Sequence, residues 1–193
     1  MGRGDLIDRH VTAARQPRYW VATLLVAAIA LGLPPLLFSV DSLFDRDVVD
    51  AGAVQTPAPG YTYQAPAGWE NKGAVGGGIL LGKGGATIDI PLPRTFTGSP
   101  TDLYRSFIDE LDAIEQISVT SSSDPHPATL GGLDAVSGTI HFLFNGTDNT
   151  GFVVVGVGDG FGIVADLFGP VSDIKPLEGE YEDLLASIKV TGP

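Results

Sequence analysis

Residues 19–40, YWVATLLVAAIALGLPPLLFSV, carry no charged side chain between Arg18 and Asp41. A helix of that length, at ~1.5 Å rise per residue, is roughly 33 Å long and matches the ~30 Å hydrocarbon core of a bilayer. No other feature constrains the chain so strongly. It predicts a cytoplasmic tail over residues 1–18, a transmembrane helix over 19–40, a linker over 41–60 and one globular domain over 61–193. A cleaved signal peptide is the rival reading, but its n-region of residues 1–18 would be long. The small-x-small site Ala51-Gly52-Ala53 lies beyond Asp41, Asp45, Asp47 and Asp50, too far from the apolar stretch. The chain has no cysteine, so no lipid-modified cysteine replaces the span. Tyr19 and Trp20 fall where an interfacial aromatic belt belongs, and Pro34 and Pro35 are tolerated in such a helix as a kink or an end.

Charge sets the orientation. Arg3, Arg9, Arg15 and Arg18 precede the span, whereas Arg46 is the one cation among the four aspartates that follow it. Arginines on the cytoplasmic side place the N-terminus inside and the domain outside, in the cell envelope. The tail carries +2 and residues 41–193 carry −14, which together make the net −12 of the chain. So acidic a domain is a poor partner for nucleic acid or for anionic headgroups. Without disulfides it must hold together by packing alone, which about 130 residues can do.

Residues 61–65, YTYQA, read as a strand that turns at Pro66-Ala67-Gly68 into Trp69. A hairpin is expected across Gly82-Lys83-Gly84-Gly85. Ser99-Pro100-Thr101-Asp102 starts a helix: Ser99 caps, Pro100 fits the first position and Asp102 favours the N-terminal dipole. Leu103, Phe107, Ile108, Leu111 and Ile114 give that helix its apolar stripe. After a short strand at 117–121, residues 121–129 read as a rigid polar loop. Residues 133–144 then alternate, with Val136, Ile140, Phe142 and Phe144 on one face and Ser137, Thr139 and His141 on the other. A turn over 145–151, strands at 152–157 and 161–167, a last helix around Tyr181, Leu184 and Leu185, and a short strand near Lys189-Val190 complete the order. This is an α+β fold, an antiparallel sheet packed by two helices and preceded by one transmembrane helix.

Tyr63-Gln64-Ala65-Pro66-Ala67-Gly68-Trp69, Leu130-Gly131-Gly132-Leu133-Asp134-Ala135 and residues 181–190, YEDLLASIKV, together resemble the PsbP-like family. They are closest in kind to its actinobacterial LpqN/LpqT-type envelope proteins. The resemblance runs from about residue 60 onward and implies the PsbP-like fold. It also implies a non-catalytic binding or assembly role. It supplies no active-site residue to carry over, and the acylated cysteine of the lipoprotein members is missing here.

No motif spells out a reaction. Residues 77–84 approach a phosphate loop, but Gly84 replaces the required hydroxyl. Residues 156–162 are glycine-rich, yet Phe161 stands where a dinucleotide loop needs its third glycine. The histidines are His10, His126 and His141; with no cysteine beside them, neither a soft-metal site nor a cofactor is expected. Ser121, Ser122, Ser123 and Asp124 neighbour His126 in sequence alone, and no enzymatic activity is expected. Glu178, Glu180, Glu182 and Asp183 read as a solvated helix start. The expected function is that of a single-pass, membrane-anchored accessory domain that docks on an envelope protein, with Asp124 and His126 of the 121–129 loop as its contact residues. The alternative is a carrier for a lipid-like or small apolar ligand between sheet and helix. For that reading, Ala135, Gly138, Gly156, Gly162 and Ala165 would thin the sheet surface, although a close helix contact uses the same residues.

Overall fold

The computed structural model describes residues 48–190, except 59 and 74–77. The tail and the apolar stretch at 19–40 lie outside the described residues, among which no helix is long and apolar enough to cross a membrane. The strands are β1 (Val54–Ala58), β2 (Tyr61–Gln64), β3 (Glu70–Asn71), β4 (Ile79–Lys83), β5 (Ala86–Ile90) and β6 (Arg94–Thr95). Helix α1 (Pro100–Asp112) follows, then β7 (Ile117–Ser122), β8 (His126–Leu130), β9 (Leu133–Phe144), β10 (Thr147–Val157) and β11 (Phe161–Gly169). The short α2 (Val171–Ile174), a 3-10 turn (Lys175–Leu177), α3 (Glu178–Ser187) and β12 (Lys189–Val190) end the chain described.

The main antiparallel sheet runs β3-β4-β5-β11-β10-β9-β7, with β6 added on β11 and β8 on β9. A second, three-stranded sheet is ordered β1-β2-β12, so the last strand pairs with one of the first. The fold is α+β, as expected, and the main sheet is covered on both faces. On one face Trp69, Tyr61, Ile88, Ile163 and Leu167 pack against Tyr181 and Leu184 of α3. On the other, Leu103, Tyr104 and Phe107 of α1 pack against Ile140, Phe142, Val153, Val155 and Val164. Burial on both faces explains why β11 reads as an almost unbroken apolar run. Buried tyrosine hydroxyls find acceptors across elements: Tyr61 donates to the Ile90 carbonyl at 2.8 Å and Tyr181 to that of Ala165 at 2.7 Å.

The start of α1 follows the sequence closely. Ser99 caps it, and Ser99 and Asp102 form a reciprocal capping box. The faces of β9 are also as expected, with Ile140 and Phe142 buried and Val136 and Phe144 partly buried on the same cluster. Three boundaries differ. Part of the 41–60 linker is structured: β1 pairs with β2, Val49 N–H donates to the Trp69 carbonyl at 2.9 Å, and Gly52 N–H donates to that of Ala65 at 3.0 Å. The folded unit therefore includes residues from 48 onward, ahead of the expected start at 61. Pro57 sits in β1, an edge strand, where a missing N–H is tolerated. The 121–129 loop is mostly strand, because residues 121 and 122 belong to β7 and β8 pairs along β9 from His126↔Ser137 to Leu130↔Leu133. The turn expected over 145–151 shrinks to Asn145-Gly146, both at positive φ (48° and 80°), and the strands pair from Phe144↔Thr147 onward. Two left-handed residues match the twist of the strands they join.

Candidate functional site

Helix α1 is docked tightly at its first turns. A Cβ on Gly162 would lie 2.7 Å from Leu103 Cδ2, and one on Gly138 would run into the Tyr104 hydroxyl. Those two glycines therefore serve helix contact. Gly156, Ala135 and Ala165 lie on the opposite face, where Leu130 and Leu133 crowd Gly156. Past the first turns the helix no longer fills the space above the sheet. A groove of about 640 Å³ opens there, roofed by Phe107, Leu111 and Ile114 and floored by Phe142, Phe144, Gly151 and Phe168. Gly151 keeps the floor low: a Cβ there would meet Phe142 and Phe168 only at 3.8 Å. At the rim, Glu70 and Lys72 pair with each other. Such a volume with aromatic and aliphatic walls lies within the range of small-molecule sites.

Two acids lie on this face of the sheet, one of them in the groove wall. Asp89 on β5 and Asp166 on β11 are directly opposed across the strand pair and are only 4% and 7% exposed. Strand alternation puts both on the α1 side: Ala86, Ile88 and Ile90 face the other core, as do Ile163, Ala165 and Leu167. Asp166 lines the groove, and its Oδ1 has no hydrogen-bond partner among the described residues. Burial raises the Asp89 carboxyl to about 7. Burial raises Asp166 well above the usual carboxylate range, and the neighbouring Asp89 charge raises it further. The sequence reading passed over both, although each is a lone acid inside an apolar strand, ATIDI and VADLF.

The residues singled out beforehand lie elsewhere. Asp124 is exposed in the short connector between β7 and β8. His126 is exposed at the start of β8, with its Nε2 3.0 Å from Ser137 Oγ. The neighbouring Ser123 Oγ accepts from the Thr139 N–H at 2.9 Å, a strand-edge contact and not a catalytic pairing. His141 Nδ1 lies 3.0 Å from Thr150 Oγ1, and His10 is outside the described residues. The glycine runs are hairpin turns: Gly84 (φ 61°) between β4 and β5, and Gly160 (φ 79°) between β10 and β11. Among the described residues no three His, Asp or Glu side chains cluster as a metal would require. Glu180 is not a free solvated acid. It accepts from Trp69 Nε1 at 2.6 Å and from Lys83 Nζ at 2.7 and 2.8 Å. Partial desolvation pushes its carboxyl up, but the hydrogen bonds from Lys83 and Trp69 and the Lys83 charge outweigh that and hold it below its ordinary value. This cluster ties α3 to β3 and β4 on the far side of the sheet from the groove.

No family model and no curated protein matches the sequence. Among solved structures, the chain is similar to the solution structure of cyanobacterial PsbP (CyanoP) from Synechocystis. The identity is 14%, covering 77% of this chain and 99% of that one, with a TM-score of 0.52. It is also similar to the crystal structure of LpqN, involved in cell envelope biogenesis of Mycobacterium tuberculosis. Here the identity is 21%, covering 72% of this chain and 91% of that one, with a TM-score of 0.51. Strand order, the two covered faces and these similarities together establish that the domain has the PsbP-like fold.

Proposed function

We propose that this chain is a membrane-tethered accessory domain of the cell envelope that holds an apolar ligand in the groove beneath α1. The observation that carries the reading is the groove itself, about 640 Å³ of space between α1 and a sheet floor of Phe142, Phe144 and Phe168. A domain that needed only a packed core would close that space, since uncovered aromatic surface is costly in water. The uncharged stretch at 19–40 supports the tether, and the four arginines before it support an N-terminus in the cytoplasm. The envelope setting is supported by the fold shared with LpqN. Within this reading the domain exchanges its ligand with an envelope protein partner, for which Asp124 and His126 remain the proposed contacts.

Native mass spectrometry of the intact chain released from lipid nanodiscs tests the reading. A single retained apolar molecule, removed by organic solvent and restored by an added apolar fluorophore, is the expected result. A chain that emerges empty and leaves the fluorophore unbound refutes ligand binding.

A further inference from the structure

We infer that the groove selects an apolar ligand bearing an amine, whose ammonium group is held at the Asp89–Asp166 carboxyl pair. The inference rests on the ligand-binding reading above and names the head of that ligand. Like-charged side chains directly opposed on an antiparallel pair destabilise a sheet, and a buried carboxylate without a partner is more costly still. Here the two acids are opposed at the centre of the main sheet, and Asp166, the one with an unpartnered oxygen, lines the groove. Asp166 is 7% exposed, and its Oδ1 accepts no hydrogen bond from any described residue. No hydrogen bond among the described residues uses that oxygen, whereas the buried hydroxyls of Tyr61, Tyr104 and Tyr181 are directed to backbone acceptors.

An ammonium group supplies what the pair lacks. It offers three donors and one positive charge, so on binding it releases to solvent the proton that burial holds on Asp166 and bonds the resulting carboxylate, and charge-assisted bonds are the strong ones. A hydroxyl head could satisfy one oxygen but would leave the two acids opposed. A carboxylate or phosphate head would bring a further buried negative charge and no cation to bond Asp166. Of the nearby cations, Lys72 after β3 pairs with Glu70 at the rim, and Arg94 of β6 pairs with Glu110 of α1 at 2.9 Å. The apolar walls then hold the rest of the molecule, whose chain or ring runs toward Phe142, Phe144 and Phe168.

The test uses the intact chain in lipid nanodiscs and three photoreactive diazirine probes with one alkyl chain and different heads: ammonium, hydroxyl or carboxylate. Crosslinks are mapped by peptide mass spectrometry. The expected result is labelling of β9 and β11 peptides by the amine at least about ten-fold above the carboxylate, equivalent to about 1.4 kcal/mol of discrimination. In the chain carrying Asp89→Asn and Asp166→Asn that preference should vanish while labelling by the hydroxyl probe persists, which also reports that the groove is intact. Equal labelling by the three heads on the unaltered chain overturns the inference and leaves the apolar groove standing. So does a preference that survives the double substitution. No groove labelling by any probe overturns both readings. Because the three probes are compared on the unaltered chain, the outcome does not depend on how the variant folds.

Discussion

Gly151→Val is the perturbation that most directly connects the groove to the fold. Gly151 lies in the middle of β10, between Ile140 on β9 and Phe168 on β11. Its φ is not positive, and its missing Cβ would face the groove at ordinary contact distance, 3.8 Å from Phe142 Cε1 and Phe168 Cβ. A strand glycine is destabilising by about 0.5–1 kcal/mol relative to alanine. Two half-covered methyl groups against those phenyl rings add roughly 1 kcal/mol at ~0.8 kcal/mol per fully buried carbon. The variant should therefore be more stable by about 1–2 kcal/mol, which raises the melting temperature by about 3–7 °C in a domain of this size. The same side chain divides the floor between Phe142 and Phe168, so retention of an apolar ligand should fall by an order of magnitude or more. Thermal melts followed by circular dichroism and native mass spectrometry of the same sample read the two effects together. A destabilised variant would mean that the floor is not open above Gly151. A stabilised variant that keeps its ligand would mean that the ligand sits elsewhere.

Glu180→Ala removes the acceptor of Trp69, which is fully buried, and should cost about 1–3 kcal/mol in denaturant unfolding, with the groove still able to bind; no loss would mean the indole finds another acceptor. The Asp89 carboxyl is raised from 3.8 to about 7, so folding favours its protonated form: stability is fully present at and below pH 4 and falls as pH rises toward and past 7. Each pH unit within that window costs about 1.4 kcal/mol for the proton involved. Asp89→Asn should leave stability at pH 4 nearly unchanged, raise it at pH 8 and flatten the profile between; an unchanged profile measured by denaturant titration would remove the pair as its cause. Asp124→Ala combined with His126→Ala should shift stability by no more than about 0.5 kcal/mol, because both residues are exposed, and should reduce crosslinking to an envelope partner; a folded variant with full crosslinking would clear these residues of that role.

The parts of the fold legible in the sequence are those where local chemistry and burial agree. Ser99, Pro100 and Asp102 each fit one helix-start position, and β9 alternates because α1 covers one of its faces. β1 and β8 were hidden by Pro57 and Pro127, which say "turn" locally but are admissible in strands with a neighbour on one side only. The first residues of β10, Thr147 to Thr150, read as loop because they are polar. Thr147, Asp148 and Asn149 lie where the sheet extends past the cover of the helix, which is also where the groove opens, whereas Thr150 is buried. The missing alternation that concealed the strand was thus a trace of the site. The groove itself was not legible, since it depends on how far α1 reaches across the sheet. The small residues that hinted at it belong to helix contacts or to the opposite face, and the glycine that shapes the floor, Gly151, had been assigned to a turn.

The pairing of β12 with β2 has a consequence for how the domain is made. Tyr61 and Thr62 near its beginning hydrogen-bond with Val190 and Lys189 near its end, so the small sheet closes only after every intervening element has emerged. A chain that emerges from synthesis in order presents β2 early, with one side unpaired, while the β9-β10-β11 meander forms from neighbouring segments. Contacts between segments so distant in sequence are slow to form, and exposed strand edges recruit other chains. The short β1, laid along the other side of β2, leaves only the edge facing β12 open during the wait. Folding of this domain therefore closes with its first hairpin being locked by Lys189 and Val190, and a chain stopped short of Lys189 would leave β2 open on one side.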